Sequence, residues 1–366
     1  MKQIINPKTG YIDYSTIIEK DVDVYMILGQ RADGKTYGIL ENSISEFFKS
    51  GTPSAYIRRF DESLRKNMIA DLLKPQIKNI TKMSKNTYTN SVYKSKRFYP
   101  AFENNDKLVP GAAPFLYAYS LNTWENAKGA DSGEFYNVIF DEFVSTSKYL
   151  SNEYVIFENV LSSILRNRGK SRIFMLGNPV NQICPYFDEF NIDVHKLQPG
   201  DIVYRLSAGG YKMKFVYCPP IPVKNRASIF DFRRKKSSIT TGYWEFGDFP
   251  HLPGGMVKDS EKLCEFAVIF RNQFAVCEFY MYKDVLYCFW RPGNEDKILD
   301  DREHVIFSDA HIFQDNILMA WDFKNEMCRL YDDCVKSNRQ YFADNKTGNL
   351  AKMWYHEFLM KAGRFA

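Results

Sequence analysis

The stretch Gly29-Gln30-Arg31-Ala32-Asp33-Gly34-Lys35-Thr36 completes the pattern G-x-x-x-x-G-K-[ST], and its reading decides the fold. Its flanks agree. Val24-Tyr25-Met26-Ile27-Leu28 in front is a short apolar run that reads as a buried strand. Thr36 to Phe48 behind carries Ile39, Leu40, Ile44, Phe47 and Phe48 at helical spacing. A strand, a glycine-containing loop and a helix in that order aim backbone N–H groups and a helix N-terminus at the phosphates of a nucleotide. Gly29 to Thr36 is therefore expected to hold a nucleoside triphosphate, with Lys35 reaching the β- and γ-phosphates and the Thr36 hydroxyl binding Mg2+.

A second apolar run, Tyr136-Asn137-Val138-Ile139-Phe140-Asp141-Glu142-Phe143, ends in two carboxylates. Asp141 at the end of that strand is expected to hold the Mg2+ water shell, and Glu142 to orient or deprotonate the attacking water. An acid pair closing a strand means little alone. Roughly 100 residues after a complete phosphate loop it gains weight, and the adjacent glutamate selects the ASCE type of P-loop NTPase over the switch-loop GTPases.

The first ~205 residues alternate strands and helices. Ala55-Tyr56-Ile57, closed by Arg58-Arg59, reads as a strand; 61–74 has helical spacing; further strands are expected at 115–121 and 172–178, and a helix at 155–165. Such alternation implies an α/β fold with a mostly parallel sheet covered by helices on both faces. Ligands of such sheets sit at the carboxyl ends of the strands, where Gly29–Thr36, Arg58-Arg59, Asp141-Glu142 and Asn178 would converge. The expected organisation is a P-loop ATPase domain over 1–207, a linker over 208–255 with a strand and the basic run Arg233-Arg234-Lys235-Lys236, and a small α+β domain over 256–366. In the last, three antiparallel strands (263–270, 274–281 and 285–290) precede two helices, near 315–337 and 349–362.

The 366 residues, 45% hydrophobic and 25% charged, suit two ordinary cores. A net charge of +5 permits a polyanionic partner without requiring one. The seven cysteines are widely spaced without a C-x-x-C, which points to reduced thiols rather than zinc or disulfides. No run approaches the ~18 apolar residues of a membrane span, so no membrane partner is expected.

Taken together the motifs resemble those of the DNA-packaging ATPases of small protein-primed tailed phages, the phi-29-like encapsidation proteins. The resemblance runs through the phosphate loop, Tyr56-Ile57-Arg58-Arg59-Phe60, Val138 to Phe143, Leu165-Arg166-Asn167-Arg168, Leu176-Gly177-Asn178, Asn181 to Phe187, and the basic linker. It implies a ring of subunits, five by the family's habit, at the portal of an empty capsid in the host cytoplasm. The ring would drive double-stranded DNA inward with ATP and Mg2+, with a packaging RNA as a further partner in some phages. It also implies an arginine supplied in trans, Arg166 by its place in the motif with Arg168 as competitor. Lys128 would be a second basic residue needed for turnover, and Asn178 a polar sensor of the γ-phosphate. Arg58 or Arg59 would contact nucleotide or a neighbour, and the sequence does not choose between them. The resemblance further implies a lysine after the Arg-Arg-aromatic triplet, where this chain has Asp61, so that lysine's role would pass to Arg65 or Lys66.

Residues 58–97 hold eleven Lys or Arg against three acids. Lys78, Lys82, Lys85, Lys94, Lys96 and Arg97, interleaved with Tyr, Ser, Thr and Asn, suit sequence-independent phosphate contact and are the expected DNA-binding residues. A nuclease of RNase H-like fold needs clustered carboxylates around two metals. The first strand of the C-terminal domain offers only Glu265, and Asp309, Asp332 and Asp333 show no evident partners in the sequence. A degenerate RNase H-like docking domain is the reading that fits.

Overall fold

The apolar runs of the sequence become neighbouring strands of one sheet, each followed by a helix or long connection that carries the chain back across it. The computed structural model describes residues 4–7, 9–123, 134–145, 149–165, 171–182, 184–206, 210–221, 249–252, 260–271, 273–309, 312–319 and 324–361. Its chain divides into two units, Met1–Glu245 and Phe246–Ala366.

The first unit opens with α1 (Tyr14–Ile17), β1 (Val24–Leu28), α2 (Lys35–Ser50), β2 (Ser54–Arg58), α3 (Lys66–Ile69) and α4 (Ile77–Met83). It continues through β3 (Asn90–Lys94), β4 (Arg97–Asn104), β5 (Lys107–Pro110), β6 (Leu116–Ser120), β7 (Asn137–Asp141), α5 (Glu153–Leu165), β8 (Arg172–Gly177), α6 (Pro185–Glu189), β9 (Ile202–Leu206) and β10 (Lys212–Tyr217). The sheet runs β3-β4-β6-β2-β7-β8-β1-β10-β9, with β5 beside β4. Its six central strands, β6 to β10 in that spatial order, are all parallel. Strand β8 therefore stands between the strand that feeds the phosphate loop and the strand that ends in Asp141.

Burial on both faces explains the near-continuous apolar runs. Tyr25, Ile27, Tyr56, Ile139 and Phe174 pack with Ile39, Leu40 and Ile44 of α2 on one face. Met26, Ile57, Val138, Phe140 and Met175 pack with Phe157, Val160 and Ile164 of α5 on the other. Helix α2 ends at Gly51, whose φ of +79° lets its N–H bond back to Phe47 O at 2.8 Å, a left-handed stop that glycine makes cheaply.

Three expectations need correction. The 61–74 segment is not one helix: it breaks into 3-10 turns at Asp61–Leu64 and Ala70–Gln76 around α3, with Arg65 extended and Pro75 unable to donate a helical bond. Strand β10, placed by sequence within a 208–255 linker, pairs in parallel with β1, and its Phe215, Val216 and Tyr217 are fully buried. The boundary at 207 would cut the β9–β10 pair in two. The basic run 233–236 lies outside the described residues.

The second unit contains β11 (Glu261–Phe270), β12 (Gln273–Tyr282), β13 (Val285–Pro292), α7 (Glu295–Asp300), β14 (Val305–Ser308), β15 (Ile317–Leu318), α8 (Glu326–Lys336), β16 (Gln340–Phe342) and α9 (Asn345–Lys361). The third correction falls here: the helix expected near 315–337 spans only Glu326–Lys336, with β15 at Ile317–Leu318 before it, and the sheet adds parallel strands to the expected antiparallel three. The β11–β12–β13 meander is antiparallel, but β14 joins β11, β15 joins β14 and β16 joins β13 in parallel. Phe266 centres the core, with ring centroids of Trp290, Phe307, Trp354 and Tyr331 between 5.1 and 5.9 Å away. Asp309 and Asp332, unpartnered in the sequence, do have partners. Asp309 accepts the Arg271 N–H at 3.0 Å, and Asp332 takes the Tyr355 hydroxyl at 2.6 Å and the Lys336 ammonium.

Candidate nucleotide site

Between β1 and α2 the loop turns twice through left-handed backbone, at Ala32 (φ +61°) and Gly34 (φ +87°). Such turns point successive N–H groups into one concavity. The loop is closely packed: a Cβ on Gly29 would lie 2.3 Å from Asp33 Oδ2. At its centre, Lys35 Nζ donates to Gln30 O (2.7 Å), Gly29 O (2.9 Å), both Asp33 oxygens (2.9 and 3.0 Å) and Asn178 Oδ1 (3.1 Å). Asn178 thus reaches the loop from the end of β8. Asp33 is almost wholly buried, and burial pushes its carboxyl above the ordinary value against the opposing pull of Lys35. Gln30 is also buried, while Arg31 is exposed.

Sequence reasoning missed a strap over this loop. Ile12 N–H donates to Asp33 O (3.0 Å) and the Tyr14 hydroxyl to Lys35 O (2.7 Å). The Tyr14 ring lies so close to α2 that a Cβ on Gly38 would meet it at 2.6 Å. No motif marks residues 4–14; the glycine at 38 was the one available signal.

Thr36 Oγ1 stands 3.3 Å from each carboxylate oxygen of Asp141. The buried Tyr56 hydroxyl donates to Asp141 Oδ2 at 2.7 Å; burial, then the Asp141 charge, push its pKa well above normal, so it stays a donor. Arg58 lies along the same acids. Its Nη2 is 2.5 Å from Glu142 Oε2 and its Nη1 is 3.6 Å from Asp141 Oδ2.

Arg59 points the other way, into the protein, and is only 7% exposed. It donates to Glu142 O (3.0 Å), Phe143 O (2.6 Å) and Glu153 Oε2 (2.8 Å). The two adjacent arginines thus divide: Arg58 faces the acids, and Arg59 holds the backbone behind them.

Parallel strand ends bring Gly29–Thr36, Arg58, Asp141, Glu142 and Asn178 into one contact network. Lys128, Arg166 and Arg168 lie outside the described residues. The expected DNA-binding residues sit elsewhere on the first unit, all exposed: Lys78 and Lys82 on α4, Lys85 just after it, and Lys94, Lys96 and Arg97 at the β3–β4 turn. The Lys96 ammonium pairs with Asp61, and the Arg97 guanidinium lies 5.1 Å from the Tyr117 ring centroid.

Residues 7–202, more than half of the chain, match the pattern of the family described as Podovirus DNA encapsidation protein (Gp16). The chain belongs to that family. The DNA packaging protein of Bacillus phage phi29 is 28% identical over 196 residues, covering 52% of this chain and 53% of that protein. The one from Bacillus phage B103 is 29% identical over 181 residues, covering 46% and 49%. This encapsidation-family chain therefore spans about half the length of the curated relatives it matches. A solved chain of the bacteriophage Phi-29 viral genome packaging motor assembly superposes with a TM-score of 0.52 at 18% identity, covering 96% of this chain and all of that one. That likeness speaks to the fold alone.

Proposed function

We propose that this chain is an ATPase that translocates double-stranded viral DNA into a preformed capsid, acting as one subunit of a ring, five by the family's habit, at the portal. The observation that carries the reading is the joining of Lys35, Thr36, Asp141, Glu142 and Asn178 at the ends of three neighbouring parallel strands. Family membership supplies DNA packaging as the context.

The residues fit ATP and Mg2+. Thr36 and Asp141 offer hard oxygen donors 3.3 Å apart, and the loop is too tight at Gly29 for any side chain. Thr36 and the Asp141 water shell would hold the metal, which when bound neutralises charge on the β- and γ-phosphate oxygens. Lys35 would turn from Asp33 to those oxygens. Glu142 would align a water and take its proton, and Asn178 would hydrogen-bond the γ-phosphate. Arg166 from a neighbouring subunit, or Arg168, would stabilise the transferring phosphoryl group, assisted by Lys128. Lys78, Lys82, Lys85, Lys94 and Arg97 would grip DNA by its phosphates, which suits a motor indifferent to sequence. Lys96 would contribute less, since Asp61 already neutralises it.

For the second unit a degenerate RNase H-like docking module is favoured over an active nuclease. An antiparallel three-strand meander extended by parallel strands on the β11 side supports that topology. Glu265 and Glu278 share Lys262 and Arg291, so both carboxylates are already paired with side-chain cations. Docking to the portal, or to a packaging RNA, would be its task.

The substitution E142Q tests the core of the proposal. It should leave ATP and Mg2+ binding intact and reduce turnover to a small residual rate; hydrolysis at the wild-type rate would remove Glu142 from its role.

A further inference from the structure

Glu142 turns through left-handed backbone, with φ of +61°, which a non-glycine residue seldom adopts. It does so immediately after β7. In an extended strand successive carbonyls point to opposite sides, so one group cannot bond two in a row. Past this turn the chain is no longer extended, and the carbonyls of Glu142 and Phe143 both accept from the Arg59 guanidinium, at 3.0 and 2.6 Å.

The guanidinium is itself anchored. Its third contact, from Nε, is to Glu153 Oε2 at 2.8 Å in the first turn of α5. Glu153 also accepts the Leu150 N–H at 2.8 Å and the Tyr186 hydroxyl at 2.9 Å, and the Tyr149 ring centroid lies 4.9 Å from the Arg59 guanidinium carbon. Both charges are almost fully buried. A planar fork held this way has one orientation, which a lysine ammonium cannot reproduce.

We propose that Arg59 is a positioning residue for hydrolysis: anchored on Glu153, it holds Glu142 in the left-handed turn that sets the carboxylate beside Asp141. The inference rests on the reading of Glu142 as the residue that activates water. It also makes α5, whose last residue Leu165 precedes Arg166, part of the same rigid frame as the catalytic glutamate.

A double-mutant cycle on the full chain tests it, with steady-state ATP hydrolysis (kcat and KM) and ATP affinity measured for wild type, R59K, E142Q and the pair. R59K should lower kcat by at least about tenfold with KM for ATP within about twofold, yet change the residual rate of E142Q by less than about twofold. E153Q keeps the size of the anchor and weakens its charge. It is carried through the same cycle so that the result does not depend on R59K folding, and it should show the same pattern, smaller. Equal losses in both backgrounds, or ATP affinity falling in step with kcat, would mean a merely structural role and overturn the proposal. E142Q inactive while R59K and E153Q keep full kcat would overturn it alone. E142Q as active as wild type would overturn the reading of Glu142 beneath it as well.

Discussion

Asp33 puts a buried carboxylate inside a loop whose other atoms are arranged for anions. Its charge competes with phosphate for Lys35, so D33N should tighten ATP binding by about tenfold, one decade being ~1.4 kcal/mol, as measured by titration calorimetry. Stability should respond as well. Burial raises the folded pKa of Asp33, so the stability it contributes is fully present below the ordinary carboxylate range and is lost as pH rises through the folded value. An asparagine does not titrate. The melting temperature of D33N relative to wild type should therefore be higher at pH 7 than at pH 4; a difference that shrinks with rising pH would contradict this. In the sequence Asp33 was an unconstrained position of the motif. Its pairing with Lys35 depends on how the loop folds back, which spacing does not encode. The choice between Arg58 and Arg59 was hidden for the same reason: at the end of β2 the two adjacent side chains leave on opposite sides, and which side meets the acids depends on β7.

Elements differ in how plainly they announce themselves. Strands β1, β7 and β8 were legible because burial on both faces makes each a continuous apolar run bounded by polar residues. The β3–β4–β5 meander was not, since its outer strands are polar and half exposed. Strands β14, β15 and β16, two to four residues long, are too short for any periodicity to register. The basic surface belongs to this scale. Lys78 and Lys82 lie one helical turn apart on α4, and Lys85 follows in a left-handed turn (φ +51°). Reversing Lys82 and Lys85 to glutamate should weaken DNA-stimulated turnover and leave basal hydrolysis unchanged. The slope of log DNA affinity against log salt should become shallower by about 0.9 for each phosphate that is no longer neutralised. Equal loss of basal and stimulated rates would place these lysines outside any DNA path.

At the scale of the molecule, the chain belongs to the encapsidation family, and its sheet gathers the loop, the acids and Asn178 at the carboxyl ends of its central strands. That convergence was legible in the amino-acid order alone, because in a parallel sheet every strand ends on the same side. The division after Glu245 was less so, since β10 returns to the centre of the first sheet after a polar β9. The central claim is that the site hydrolyses ATP in the service of DNA movement and is completed by a neighbouring subunit. The most direct measurement is the steady-state ATP hydrolysis rate over a range of protein concentrations, with and without linear double-stranded DNA. The account predicts specific activity that rises with concentration and is stimulated by DNA, with R166A abolishing the rise. A rate indifferent to both concentration and DNA would contradict the claim, leaving Gly29–Thr36 a nucleotide site without a shared arginine or a DNA substrate.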